Sequence, residues 1–564
     1  DDGAVAVPAV AAGNNFTVAL RSDGTVWTWG QNNYGQLGTA VAFETSSNNG
    51  MNNARESSKL MPIQVQLPVK VLSIASGDNH VLALTEEGTI YAWGLNANGQ
   101  LGINNRSNRS VPTLVTLPGG QGGVFTGVAR VAAGGNSSIA LMEDGSVYTW
   151  GANGNGQLGI KSKVDQTSPV QLLGYKGGGY MTGAMGIAMG GDFALALRSD
   201  GAVFSWGNPV YGQLGNGDKV TNWTVPFKVK GTPEDPSTMD DQSDLTNIAS
   251  ISAGGSFAMA LTRAGRVLSW GNNRYGQLGA GLNPASNPDK DIPVLVRNAE
   301  NAILENIVEI SAGSNQAYAR SMTRYTCPTD GTTYYLKELI PQGTVDNSVD
   351  DNSSPKVNCP EDHVYYTSSP DYQNLTCSNG SHSLIKNDFL TANTMYVWGY
   401  NSHGQLGMGN SGTNTNLNQA NTTLFTQGGY VTYFDNYDTK AFGMAVGVNH
   451  SVILGDDGFV YSMGRGDNGA IGDGGIVSYN TPVRSGARED SIVIHLPSNS
   501  DWSMSGNYSE EFSNSAVSDI TRAVTSTVQP YVMNTGHLVV KEYPGFNLIH
   551  KGALLANLLD VGPD

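Results

Sequence analysis

The chain has 564 residues, with 31 Lys+Arg against 48 Asp+Glu and a formal net charge of −17. That is far from the basic balance a phosphate backbone demands, so nucleic acid is excluded as an expected partner. Only 14% of residues are charged and 39% are apolar, while 72 are Gly, a mixture unsuited to helical bundles and suited to tight turns between many strands. No apolar run approaches the roughly 18 residues that span a bilayer, so no transmembrane segment is expected.

The first elements read as a hairpin. Phe16-Thr-Val-Ala-Leu20 alternates faces, Asp23-Gly24 supplies a turn with positive φ, and Thr25-Val-Trp-Thr-Trp29 returns. Ala12-Gly13 stands before this hairpin, and Trp29-Gly30 and Gly35-Gln36-Leu37-Gly38 follow it. The same unit then recurs down the chain. Its Trp-Gly pair returns as Trp93-Gly94, Trp150-Gly151, Trp206-Gly207, Trp270-Gly271 and Trp398-Gly399, with Met463-Gly464 as a degenerate seventh. Each pair precedes a Gly-Gln-Leu-Gly run at fixed offset, ending at Gly102, Gly159, Gly215, Gly279 and Gly407, and as Gly469-Ala470-Ile471-Gly472 in the last.

The upstream glycines Gly13, Gly77, Gly134, Gly190, Gly254 and Gly447 each lie 17 residues before the glycine of their Trp-Gly pair. In the sixth unit Gly313 precedes Gly399 by 86, so 69 residues are inserted, from about 321 to 391. Further short strands are expected near Pro62, Pro112, Pro169, Pro293 and Pro482, completing four strands per unit. Seven four-stranded sheets cannot each bury both faces alone, so the expected fold is all-β, a seven-bladed β-propeller over residues 1–485 with a C-terminal extension over 486–564.

These residues resemble the regulator of chromosome condensation repeat family, whose unit reads roughly Ala-x-Gly-x-x-His-x-x-Ala-Leu, Asp-Gly, Trp-Gly, Gly-Gln-Leu-Gly. The resemblance covers about residues 8–485 and implies the same seven-bladed propeller. The family's His position holds His80 and His450 here, but Phe16, Ser137, Phe193, Phe257 and Gln316 elsewhere; these histidines read as structural. The family's propellers include nucleotide-exchange factors for a small GTPase, ligase-associated modules, an inhibitor of β-lactamases and an ultraviolet photoreceptor, so the resemblance does not choose a function. The acidic charge speaks against a nucleosome-binding segment. Six of the nine Trp are spent on Trp-Gly pairs, leaving only Trp27, Trp223 and Trp502 for a light-sensing cluster.

Catalytic motifs give no anchor. Gly154–Gly159 and Gly464–Gly469 satisfy G-x-G-x-x-G, but each sits inside a propeller repeat with no βαβ context. There is no G-x-S-x-G, no H-E-x-x-H and no phosphate-loop lysine. No catalytic residue, metal or cofactor is therefore expected, and the chain is read as a non-enzyme. The insertion holds all three cysteines, Cys327, Cys359 and Cys377, with His363 and His382. One disulfide is expected, with zinc binding and free thiols as alternatives, and the pairing stays open.

Acceptor triplets Asn-x-Ser/Thr occur at Asn15, Asn105, Asn108, Asn136, Asn222, Asn352, Asn374, Asn379, Asn421, Asn449 and Asn507. They suit a secreted glycoprotein, although an Asn-rich composition alone generates roughly eight. The function expected is a non-enzymatic extracellular or cell-surface module for protein interaction or structural building, with no cofactor. Its partner is another protein or a second copy, through self-assembly in which Leu538, Val539 and Val540 of the extension add to a neighbour's sheet edge. For the extension the first reading is one strand that closes the ring against the first blade, with the rest packed beneath the propeller; addition to a neighbour's edge is the alternative. The alternative functions are an inhibitor or ligand-binding propeller using the loop aromatics Tyr34, Tyr211 and Tyr275, and a small-GTPase exchange factor.

Overall fold

The computed structural model describes residues 6–40, 58–117, 123–240, 242–286, 289–321, 395–412, 416–422, 441–455 and 458–486, with the backbone of six short strands between 324 and 386. The expected propeller is present. Blade one consists of Ala9–Ala12, Phe16–Leu20, Val26–Gly30 and Lys59–Val65. Blade two has Val71–Ser76, His80–Thr85, Ile90–Gly94 and Arg109–Leu114, and blade three Val128–Gly134, Ser137–Met142, Val147–Gly151 and Gln166–Gln171. Blade four has Ala184–Met189, Phe193–Arg198, Val203–Gly207 and Trp223–Lys228, and blade five Ile248–Ala253, Phe257–Thr262, Val267–Gly271 and Lys290–Leu295. Blade six has Ile307–Ala312, Gln316–Ser321, Met395–Gly399 and Leu417–Thr422, and blade seven Ala441–Val446, His450–Gly455, Val460–Gly464 and Tyr479–Arg484.

Every blade is an antiparallel sheet with its strands in sequence order. The first strands stand around a central channel lined by small and aliphatic side chains such as Ala11, Ala75, Ala132, Ala188, Ile251, Ile310 and Ala445. All four strands of blade seven come from Ala441–Arg484. Among the described residues, each of the seven blades thus has four strands of its own. Residues 487–564, with Leu538, Val539 and Val540, lie outside the described residues.

Two features explain why the repeat is written as it is. At the channel mouth, the turns between first and second strands meet across neighbouring blades: Asp78 N–H donates to Gly135 O (3.0 Å), Gly255 N–H to Ser314 O (3.1 Å) and Ser314 N–H to Gly447 O (3.3 Å). A Cβ on Gly134 would stand 2.3 Å from Met189 O and 2.5 Å from Gly190 O, so only hydrogen fits there. The Trp-Gly glycine has a different reason. Gly271 has φ +102°, at the bulge where its strand's register shifts against the outer strand.

The outer strands carry proline at one register position: Pro62, Pro112, Pro169, Pro226, Pro293 and Pro482. A proline there removes a backbone donor from an edge, a common guard against strand addition. Blade six has Ala420 instead, and its N–H is used: it donates to Arg297 O (2.8 Å) of the preceding linker. Blade six is also where the insertion leaves, between Gln316–Ser321 and Met395–Gly399. Arg320, at a position filled by Leu in the other blades, donates to Glu309 Oε2 at 2.8 and 2.6 Å in full burial. Within the insertion, Arg324–Thr326, Thr333–Tyr335, Lys356–Asn358, Val364–Thr367, Leu375–Cys377 and Ser383–Lys386 form one six-stranded antiparallel sheet, an element not anticipated from the sequence.

Candidate functional site: the loop rim

Because the strands of each blade alternate in direction, the turn between strands one and two and the loop between strands three and four emerge at the same end. Six Gly-Gln-Leu-Gly loops and the Gly469-Ala470-Ile471-Gly472 loop of blade seven thus form a rim around one mouth of the channel. Each motif residue has an internal task. Leu37, Leu101, Leu158, Leu214, Leu278 and Leu406 are fully buried between blades. The glutamine side chain accepts the N–H two residues before it, as in Tyr34 N to Gln36 Oε1 (2.8 Å) and Tyr275 N to Gln277 Oε1 (2.9 Å). An asparagine five residues before the leucine accepts the leucine N–H, as in Leu37 N to Asn32 Oδ1 (3.0 Å).

The glutamine carbonyl locks the next blade. Trp93 Nε1 donates to Gln36 O (3.0 Å), Trp150 to Gln100 O (2.9 Å), Trp206 to Gln157 O (2.7 Å), Trp270 to Gln213 O (2.9 Å) and Trp398 to Gln277 O (2.8 Å), while Trp29 closes the ring on Ala470 O (2.9 Å). All six indoles are fully buried. Blade seven has Met463, without an N–H, and there Tyr318 of blade six donates its hydroxyl to Gln405 O instead. Burial pushes the Tyr318 phenol well above the ordinary tyrosine range. Each loop also clasps the next blade's outer strand through a backbone bond, from Ala40 N to Ser110 O (2.8 Å) round to Gly474 N to Leu60 O (2.9 Å).

What the motif leaves free is the position before Gly-Gln-Leu-Gly. It holds Tyr34, Asn98, Asn155, Tyr211, Tyr275, His403 and Asn468. Tyr34 and Tyr211 are exposed at 38% and 40%, as read from the sequence. Tyr275 is half-buried instead, because Tyr400 of blade six packs on it with ring centroids 4.6 Å apart. His403 extends the cluster at 6.4 Å from Tyr400, and Arg274 lies over Tyr275 at 5.7 Å. Partial burial first, then Arg465, lowers the His403 pKa, with Asp467 opposing. Tyr400 and His403 were not singled out from the sequence; blade six's place in the repeat register was the available signal.

The remaining candidates fall as follows. His80 and His450 are buried at seams between blades. Cys377 lies in a described strand, opposite Tyr365. Cys327 and Cys359 lie outside the described residues, as do Asn352, Asn374, Asn379 and Asn507, and the side chain of Asn421. The amide nitrogens of Asn15, Asn105 and Asn222 donate to Gln31 Oε1 (3.3 Å), Ile103 O (3.1 Å) and Asn155 Oδ1 (3.2 Å). Asn108 Oδ1 accepts from Asn96 N (2.8 Å) and Asn136 Oδ1 from Gln100 Nε2 (3.1 Å). Asn449 is half-buried in the turn before His450. Gly154–Gly159 and Gly464–Gly469 are two of these rim loops.

A model of the RCC1-like domain matches residues 2–235, and models of the regulator of chromosome condensation (RCC1) repeat match 248–277 and 264–319. The chain belongs to the RCC1 repeat family. The ultraviolet-B receptor UVR8 of Arabidopsis thaliana is 31% identical over 312 residues, 54% of this chain and 61% of the relative. The mitochondrial RCC1 domain-containing protein RUG3 of the same plant is 30% identical over 321 residues, 55% of this chain and 63% of the relative. The human regulator of chromosome condensation is 29% identical over 318 residues, 54% of this chain and 67% of the relative. The chain thus spans about three-fifths of the length of the two plant relatives. Two solved structures share the fold: human WBSCR16, with TM-score 0.55, 19% identity and coverage of 82% of this chain and 94% of that one, and yeast RCC1 (Prp20) bound to Kap60, with TM-score 0.53, 19% identity and 86% of both chains.

Proposed function

We propose that this RCC1-type propeller is a non-enzymatic protein-interaction module that binds its partner, a second protein or a second copy, through the loop rim. The supporting observation is the division of labour within each rim loop. Gln, Leu and both glycines are consumed by the seam, so the preceding residue is free to vary, and in blades one, four, five and six it is aromatic: Tyr34, Tyr211, Tyr275 and His403. Aromatic side chains on rigid loops supply large contact area at low entropic cost. Yeast Prp20, which shares this fold, is solved bound to Kap60 and has binding properties to Gsp1p and histones.

Crosslinking mass spectrometry on natively purified protein tests the reading. Crosslinks to a partner or a second copy are expected from Lys161, Lys163 and Lys219, which lie in rim loops. Crosslinks confined to Lys176, Lys228 and Lys230 at the opposite end would overturn it.

The extracellular placement is part of the same proposal, and intact-mass analysis with peptide mapping checks it. Glycan mass is expected at Asn352, Asn374, Asn379 or Asn507 rather than at Asn15, Asn105 or Asn222, whose amide nitrogens are spent inside the fold. A natively purified chain without glycan at any of the eleven sites would remove this support.

A further inference from the structure

The seven seams are not equal. At the repeat position that begins each second strand, the side chain meets the second residue of the next blade's second strand. Phe193 shares a core cluster with Ala258, and Phe257 with Ala317. At two seams the pairing is polar. His80 Nε2 lies 3.0 Å from Ser138 Oγ, and His450 Nε2 lies 3.0 Å from Thr17 Oγ1. Each hydroxyl spends its proton elsewhere: Ser138 donates to Gln100 O (2.8 Å) and Thr17 to Ala470 O (3.0 Å). At the His80 seam, Ser138 Oγ therefore accepts from Nε2–H. The other nitrogen of His80, Nδ1, is buried with no hydrogen-bond partner.

The His450 seam differs from the other in its tethering. A linker of the chain crosses every other seam, whereas blade seven and blade one are the last and first in the ring and, among the described residues, are joined by side-chain and backbone contacts alone. Blade seven's opposite seam is also the one with Met463 in place of tryptophan. Among the described residues, no charge stands ready to stabilise a protonated His450. The strands packed around it, Ala9–Ala12, Phe16–Leu20, Val26–Gly30, Ala441–Val446 and Val460–Gly464, contain no Asp, Glu, Lys, Arg or His, and Tyr461 is their only titratable side chain. In the adjoining loop, Arg465 and Asp467 are paired with each other at 2.7 Å.

We propose that the seam between blades seven and one is an acid-sensitive latch, at which protonation of His450 opens the ring while the phenylalanine seams stay closed. Burial, opposed only by the Phe16 backbone, holds the closed-state pKa of His450 down to about 4, against an ordinary 6.5. The sign follows: the open state binds the proton better, so closure is fully favoured above about pH 6.5 and is lost as pH falls toward 4. With those two values the opening constant rises roughly 20-fold between pH 7 and pH 5.

Hydrogen exchange on the full chain, corrected for the intrinsic pH dependence, reads this directly. Protection of 16–20 and 450–455 is expected to fall about 20-fold from pH 7 to pH 5, with 257–262 unchanged. The double variant His450→Phe with Thr17→Ala reproduces the Phe257–Ala317 seam and is expected to abolish the fall. Should it not fold, His450→Gln, the residue blade six carries as Gln316, serves in its place. Equal loss of protection at both seams, or a pH response that survives removal of the imidazole, would overturn the latch.

Discussion

Replacing Gly134 by alanine is expected to destabilise the protein by about 3 kcal/mol, the upper end of the overpacking range. The added Cβ would stand 2.3 Å from Met189 O and 2.5 Å from Gly190 O. Both are backbone atoms of blade four, so no side chain can rotate away. Relief requires moving blade three from blade four at the narrowest point of the ring. Gly154→Ala is the matching control, because a Cβ there meets nothing within 4 Å, and exposed sites of this kind change stability by less than about 0.5 kcal/mol. Denaturant unfolding of both variants reads the difference. Equal midpoints would show that the channel-mouth glycines are not dictated by blade contact.

The second large effect is at the indoles. Trp270→Ala is expected to cost about 3–5 kcal/mol, since it empties a fully buried site between blades four and five. Trp270→Phe keeps most of the apolar contact but strands Gln213 O, whose partner at 2.9 Å is Trp270 Nε1. That loss is about 1–3 kcal/mol. The same denaturant midpoints separate the two contributions. A phenylalanine variant as stable as the parent would mean that the hydrogen bond adds nothing beyond packing. Since each blade contacts only its neighbours, a partly unfolded blade-four and blade-five region is the expected failure mode.

Much of this was legible because a propeller repeats its contacts. Constant spacing from Gly134 to Gly151, and from Trp150 to Gly156, can arise only if each copy occupies the same geometry, so fold and blade number follow from offsets alone. The outer strands were less legible. Trp223–Lys228 carries the same signal as the others, Pro226, whereas Leu417–Thr422 lacks it because Ala420 must donate to Arg297 O. Tyr275 reads as exposed beside Tyr34 and Tyr211, but its cover, Tyr400, is 125 positions away across the insertion. The polar seams were readable only in part. His80 and His450 stand out in the register, yet their link to Ser138 and Thr17 depends on knowing that one blade's second strand faces the next one's. The insertion followed no repeat, and so its six-stranded sheet had no spacing to betray it.

The central claim is that residues 6–486 close a complete ring by themselves, with the Trp29, Thr17 and Leu60 contacts to blade seven standing in for a shared strand. Thermal unfolding of the full chain beside a chain ending at residue 486 tests it most directly. Coincident transitions are expected, with the shortened chain retaining the same midpoint and cooperativity. A shortened chain that melts at a clearly lower temperature, or fails to fold, would show that the residues after 486 complete the propeller and would contradict the account.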